Sequence, residues 1–282
     1  MWQKDNSADP FSPGAFSCSG AAAQSFATGV RTLYHGAVDL NCDMGESFGA
    51  WRMGEDAQLV KIVTSASVAC GFHAGDPARM EETVQAAVAA GIRIGAHVSY
   101  PDLVGFGRRH IQATPLQVRT DTIYQIGALA AICRANGASV SYVKPHGALY
   151  HDVGSTREVA DAVFEAVAAV DGSMPVVVAC GTRWTDAPVR LVKEAFADRS
   201  YNPDGTLVSR SQPGAVVTDI AEVAARAARL ASDGVVVAVD GSELRLEAET
   251  ICLHGDTPAA VSMAHAVRSA VESRGVPLEP FC

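Results

Sequence analysis

Between positions 38 and 254 the chain repeats one unit, a short apolar run followed by a stretch of helical periodicity. The runs are VDLN (38–41), ASVAC (66–70), IRIGAH (92–97), VSYVK (140–144), PVVVAC (175–180), VVVAVD (235–240) and ETICLH (249–254). They are rich in Val and Ile and often lack polar alternation. Parallel strands covered by helices on both faces have that character. The βαβα rhythm therefore predicts a parallel α/β fold. Seven or eight strands fit either a barrel or a doubly wound sheet, and periodicity does not separate the two.

The helical stretches carry clear start and stop signals. Asp76-Pro77 opens one in which Met80, Val84, Ala87 and Val88 share a face, and Gly91 ends it. Thr114-Pro115 opens a long one that ends near Asn136-Gly137. Asp219 with Glu222 resembles a capping box, and Gly234 closes that helix. Thr257-Pro258 opens the last, with Gly275 beyond its end. No Gly-x-Gly-x-x-Gly follows the first strand and no Walker sequence occurs. Both facts argue against a Rossmann or P-loop nucleotide site.

Residues 37–282 read as a single domain, and a chain of 282 residues is ample for a real core. Residues 1–36 are rich in Ser, Ala and Gly without a period. They lack a basic segment leading into an apolar one, so they read as a flexible extension and not as a signal peptide. No apolar run approaches the roughly 18 residues of a membrane span. A net charge of −9 argues against non-specific nucleic-acid binding. The seven cysteines are odd in number, far apart and without a Cys-x-x-Cys pair. Cys70, Cys180 and Cys252 each close an apolar run and read as small buried residues. A reduced, cytoplasmic setting fits that usage.

Polar residues gather where the strands end. The first run leads into Asn41, Asp43 and Glu46, the second into His73 and Asp76, and the third into His97 and Asp102. The fourth ends at Lys144 and His146, and the last at His254 and Asp256. In parallel α/β folds the carboxyl ends of the strands converge on one rim, which carries the active site. Stability alone does not explain so many charges there, since unpaired buried charge is costly. The turn CGFHAGDP (70–77) is echoed by CLHGDTP (252–258), so two strands use one device to bring a histidine to the rim.

Each residue also has a structural alternative. Asp39 is either a paired buried acid or part of the site. Asp43 and Glu46 are either site acids or solvated loop charges. Asp76 and Asp256 could serve only as helix caps, and His97 as a satisfied core histidine. Lys144, fixed in direction by Pro145, suits an anionic group, or catalysis if burial lowers its pKa. His146 points to the same side of an extended chain. Arg108 and Arg109, in a Gly-Phe-Gly loop, form either an anion clamp or a solvated basic turn. Asp43, His73, His97 and His146 offer nitrogen and oxygen ligands for a divalent metal, although no His-x-x-x-His or His-x-His spacing occurs.

These segments resemble the LamB/YcsF family. The matching stretches are VDLNCDMGESFGAW (38–51), SASVACGFHAGDP (65–77), GAHVSYPDLVGFGRR (95–109), YVKPHGALYH (142–151), EAFADRSYNPDGTLVSR (194–210) and ICLHGDTPAAV (251–261). The chain departs from the usual pattern at Val98-Ser99, where the family has Pro-Gly, and at His151, where it has Asn. The resemblance implies a distorted seven-stranded parallel β/α barrel of the glycoside hydrolase/deacetylase type. It also implies opening of 5-oxoproline to L-glutamate with ATP as co-substrate, alongside partner subunits B and C.

On that footing Asp43, His73, Lys144 and His146 are the expected catalytic residues. Asn41, Glu46, Asp76, His97, Asp102, Arg108, Arg109, His254 and Asp256 are the expected substrate contacts. Magnesium would accompany the ATP, and a homo-oligomer is compatible with all of this. Two further readings stay open: a metal-dependent deacetylase or amidohydrolase acting on an N-acyl sugar, and a non-catalytic subunit that only binds partners.

Overall fold

Alternation within the first strand decides how the sheet closes. The structure is a computed structural model that describes residues 36–257 and 259–282. The extension expected at 1–36 lies, apart from Gly36, outside the described residues, as does Pro258 of the expected final helix start. Strand β1 (Asp39–Met44) places Leu40, Cys42 and Met44 in the hydrophobic core. Its other set, Asp39, Asn41 and Asp43, is equally buried but bonds only polar groups. Side chains of a strand point alternately to its two faces. One face of β1 therefore meets helices and the other a polar lumen.

The remaining elements follow in chain order: α1 (Asp56–Leu59), β2 (Ser65–Ala69), α2 (Pro77–Ala90), β3 (Arg93–Val98), α3 (Pro115–Ala135) and β4 (Tyr142–Pro145). Then come α4 (Gly147–Ser155), α5 (Arg157–Asp171), β5 (Val176–Ala179), β6 (Leu191–Phe196) and α6 (Ile220–Asp233). The chain finishes with β7 (Val235–Val237), β8 (Glu243–Arg245), β9 (Thr250–His254) and α7 (Ala260–Ser273). Strands β1, β2, β3, β4, β5, β6 and β9 form a closed barrel in that order, and every pairing is parallel.

The expected barrel is therefore present, with one exchange of strands. VVVAVD at 235–240 is not a barrel strand: β7 pairs antiparallel with β8 in a separate two-stranded sheet. LVKEAF (191–196) takes the barrel place instead. Its Lys193 and Glu194 break the apolar run that marks a buried strand. Glu194 is nevertheless fully enclosed, because its face of the strand is the polar lumen. Of the cysteines expected to be buried, Cys70 and Cys252 are, and Cys180 is only half-buried.

Helix starts follow the chemistry of the sequence. Asp76 caps α2 by accepting from the backbone N–H of Ala78 and Arg79, with Pro77 at the first position and left-handed Gly91 at the end. Thr114 and Gln117 form a reciprocal capping box on α3. Among the described residues no helix is long and apolar enough to cross a membrane.

The lower lumen is filled by Tyr142 with Val177 and Val192, and Phe281 packs against the Tyr142 ring. Gly95 on β3 makes room for this ring, since a Cβ there would lie 2.1 Å from Tyr142 Cε2. Tyr142 has no exposed surface and its hydroxyl lies 3.0 Å from Ser67 Oγ, so it has nowhere to go. Gly95→Ala is expected to cost about 3 kcal/mol of stability through overpacking. Urea denaturation measures this, and an unshifted midpoint would mean that the ring is free to move.

Candidate functional site

Lys144 sits at the centre of the lumen, 2% exposed. Its ammonium lies 2.9 Å from Asp43 Oδ1, 2.8 Å from Glu194 Oε1, 3.0 Å from Asn41 Oδ1 and 3.0 Å from Cys252 Sγ. Burial pulls its pKa down, but Asp43, Cys252 and Glu194 outweigh burial and hold it well above the ordinary value. The shift runs opposite to the lowered pKa on which a catalytic lysine would depend, and the ammonium hydrogens are already committed to these partners. Asp39, one layer below, accepts from Thr64, Ser65 and Thr250 hydroxyls. It is a buried, hydroxyl-capped acid whose pKa burial raises.

Above Lys144 three histidines meet. The His73 and His146 rings stack 3.8 Å apart, and His97 stands edge-on to both. A carbonyl oxygen only accepts, so the carbonyl partners fix two tautomers. His97 Nδ1 donates to the Lys144 carbonyl at 3.0 Å, and His146 Nε2 to the Phe106 carbonyl at 2.9 Å. In the neutral rings, the lone pairs of His97 Nε2 and His146 Nδ1 then face each other at 2.9 Å. Burial drives both His73 and His146 toward the neutral form. Asp43 Oδ2 lies 3.3 Å from His97 Nε2, and Glu46 Oε1 lies 3.2 Å from His73 Nε2 and 3.7 Å from His146 Nδ1. Acceptors that converge in this way repel one another unless a proton or a cation stands between them.

Glu46, His73, His97 and His146 each offer one ligand atom, and these atoms all lie within 4.8 Å of one another. This nitrogen and oxygen set, with its facing lone pairs, fits a divalent metal such as zinc or manganese. Three of the four ligands expected from the sequence are here. The fourth, Asp43, is instead bridged to Lys144 and His97, and Glu46 takes its place. Burial, with the charges of Asp43 and Asp256 next in order, pushes the Glu46 carboxyl well above the usual range. Asp43 goes the other way: burial opposes its ionisation, but His97 and Lys144 hold it well below.

Phe106 and Gly107 form the roof of this cluster. Phe106 packs edge-on against His73 and His146. Gly107 has φ +63°, and a Cβ there would fall 2.3 Å from Ser99 Oγ and 2.9 Å from His73 Cβ. The loop is held by Asp102, which accepts from the Gly105 and Arg109 backbone N–H and from the Arg109 guanidinium. Asp102 and Arg109 are thus spent on each other. Asp76, besides capping α2, accepts from Gly49 N–H at 2.7 Å and ties down the loop after β1.

The expected arginine clamp is divided. Arg108 lines a cavity of about 410 Å³ over the rim, 2.9 Å from Asp256, while Arg109 turns away to Asp102. Arg199 and Arg210 join Arg108 in the cavity wall. Arg199 is 3% exposed and donates to the carbonyls of Ala215 and Val208, which are neutral. Burial, then the Arg210 charge, pulls its pKa down to about 10. Crowded, incompletely neutralised guanidinium groups make an anion site. Opposite them, His254 Nδ1 lies 2.7 Å from Asp198 Oδ2, which leaves Nε2 to the cavity.

Sequence reasoning did not single out Glu194, Asp198, Arg199 or Arg210. All four lie in EAFADRSYNPDGTLVSR (194–210), a stretch quoted above for its resemblance and assigned no role. Their signal was visible only as part of that match.

The comparisons with known proteins bear on the same segments. The LamB/YcsF family profile matches residues 38–282. The chain belongs to the LamB/YcsF family. The A subunit of a 5-oxoprolinase from Paracidovorax citrulli is 53% identical over 248 residues, which cover 86% of this chain and 99% of that protein. The crystal structure of a lactam utilization protein from Thermus thermophilus is 46% identical, with a TM-score of 0.82 over 87% of this chain and all of that one. A family 4 carbohydrate esterase from Streptomyces lividans, 15% identical, has a TM-score of 0.50 over 88% of this chain and 93% of its own. At that identity the likeness is one of fold alone.

Proposed function

We propose that this chain is the A subunit of a 5-oxoprolinase. It opens the cyclic amide of 5-oxoproline to L-glutamate, with ATP as co-substrate and with partner subunits B and C. The observation that carries this reading is the relative named as the A subunit of that enzyme, 53% identical and matched over 99% of its own length. The rim suits the chemistry: 5-oxoproline brings a carboxylate, and Arg108, Arg199 and Arg210 surround the cavity with positive charge.

A lactam is a poor electrophile, so ATP has to activate it. Transfer of the γ-phosphoryl group to the lactam oxygen releases ADP and makes the ring carbon reactive. Water then adds to that carbon, and the C–N bond breaks as the ring nitrogen takes a proton. The resulting acyl phosphate is hydrolysed by a second water to glutamate and phosphate. His254 is the proton carrier in this account. Asp198 holds its Nδ1–H, and Nε2 faces the cavity to take a proton from water or give one to the ring nitrogen. Arg108, Arg199 and Arg210 orient the carboxylate and the phosphoryl group.

Glu46, His73, His97 and His146 would hold a divalent cation, which supplies Lewis acidity to a carbonyl or phosphoryl oxygen. Lys144 keeps Asp43 ionised beneath them. Asp102 and Asp76 shape the loops, and Asp256 balances Arg108.

The test is reconstitution with subunits B and C. The complete complex should form glutamate and ADP from 5-oxoproline, and His254→Ala should lower turnover at least about 100-fold. Full activity in a complex without this chain would leave it a non-catalytic role. Release of acetate from an N-acetyl sugar would favour the amidohydrolase reading instead.

A further inference from the structure

The rim cavity continues past Tyr150. A second cavity of about 500 Å³ shares Tyr150, His151, Phe196 and Leu207 with the first and contains none of the clustered histidines. Its far walls are the segment after β5, from Cys180 to Trp184, the end of α4 and the loop 201–207. No step of the proposed reaction uses it.

Three buried polar groups in its walls are short of partners: Thr182 Oγ1 has none, and the Tyr150 hydroxyl has none but the neighbouring Glu194, whose Oε2 has no other. Their residues are 1%, 7% and 7% exposed. Leaving such groups without partners is costly, so their convergence on one cavity wall suits a ligand. A carboxylate oxygen only accepts, and the hydroxyls adapt to it. The cavity therefore favours a molecule that carries N–H or O–H donors. Trp184 and Tyr201 add flat apolar surface, with the Trp184 N–H already given to the Val153 carbonyl.

Charge differs sharply between the two compartments. Glu194 and Asp204 face a single arginine, Arg183, in the second cavity, whereas the first sets Arg108, Lys144, Arg199 and Arg210 against Asp43 and is the more attractive to an anion. A ligand that spans both is flat, uncharged and donor-bearing at one end and polyanionic at the other. We propose that the second cavity holds the nucleoside end of a purine nucleoside triphosphate whose phosphates reach Arg199 and Arg210 across the shared wall. The inference rests on the reading that ATP is the co-substrate, and it gives this barrel a nucleotide site without a glycine-rich phosphate loop. Glu194 then touches the base with one oxygen and Lys144 with the other, the latter at 2.8 Å.

Gly154 on α4 provides the test. A Cβ there would lie 3.7 Å from Thr182 Oγ1, an ordinary contact, so Gly154→Leu fills the cavity without straining the helix. In the reconstituted complex this variant should raise the KM for ATP about tenfold or more, with the KM for 5-oxoproline unchanged. Adenosine should compete with ATP in the wild-type complex and fail to do so in the variant. Thr182→Val, which keeps the volume and removes one hydroxyl, should weaken ATP by a smaller factor. Calorimetry of the isolated chain with ATP and adenosine reads the same site without turnover, and circular dichroism checks folding. An inactive wild-type complex would sink the proposed function, while calorimetry would still decide the nucleotide site. An unchanged KM for ATP in both variants, or adenosine binding that Gly154→Leu leaves intact, would overturn this inference alone.

Discussion

Replacing Lys144 with methionine should cost about 3–5 kcal/mol of folding stability, because the change leaves buried carboxylates without their cation. Asp43 and Glu194 lie within 2.9 Å of the ammonium, and neither is more than 6% exposed. Methionine matches the aliphatic stem, so the loss reports charge and not packing. Adding Glu194→Gln to Lys144→Met removes one of the stranded charges and should recover part of the loss. Urea unfolding of the single and double variants measures the coupling. A loss below about 1 kcal/mol, within the range of surface ion pairs, would mean that water reaches the lumen and screens the triad.

The second large effect concerns the histidine cluster. After treatment with chelator, addition of zinc or manganese should raise the thermal midpoint of the chain. At a cation concentration 100 times its dissociation constant, the gain is about 2.7 kcal/mol. His146→Ala removes a facing lone pair and should abolish the cation-dependent shift, whatever it does to the baseline. Elemental analysis should give one ion per chain in the wild type. An identical midpoint with and without cation, at concentrations up to the millimolar range, would favour a shared proton between His97 and His146.

The barrel was legible in the runs that make up β1 to β5 and β9, because outward-facing Val, Ile, Leu and Ala dominate them. It was misread at β6, where Lys193 and Glu194 interrupt the run, and at 235–240, where a longer apolar run forms only an outer ribbon. Periodicity registers how apolar a strand is and not which layer receives it. The rim was legible by position, since His97, Lys144 and His254 lie at strand ends and His146 just past one. Their pairing was not, because Glu194 and Asp198 meet Lys144 and His254 only when the sheet closes.

The echo between CGFHAGDP and CLHGDTP holds for the histidines and fails for the acids. Asp76 caps α2, whereas Asp256 reaches across to Arg108. Asp102 and Arg109 look like site residues in sequence, yet each other's charge occupies them.

The split of each strand into a helix-facing and a lumen-facing set has a consequence for how such a barrel can change over time. Outward positions such as Leu40, Ile94 and Ile251 should accept exchanges among apolar residues of like volume, one at a time and at a cost below about 1.5 kcal/mol. The charged lumenal positions neutralise one another, and no single substitution among them is self-sufficient. A lineage that alters Lys144 must alter Asp43 or Glu194 in the same period, or pass through a barrel that barely folds. The outer layer thus drifts freely while the inner one moves only in concerted steps.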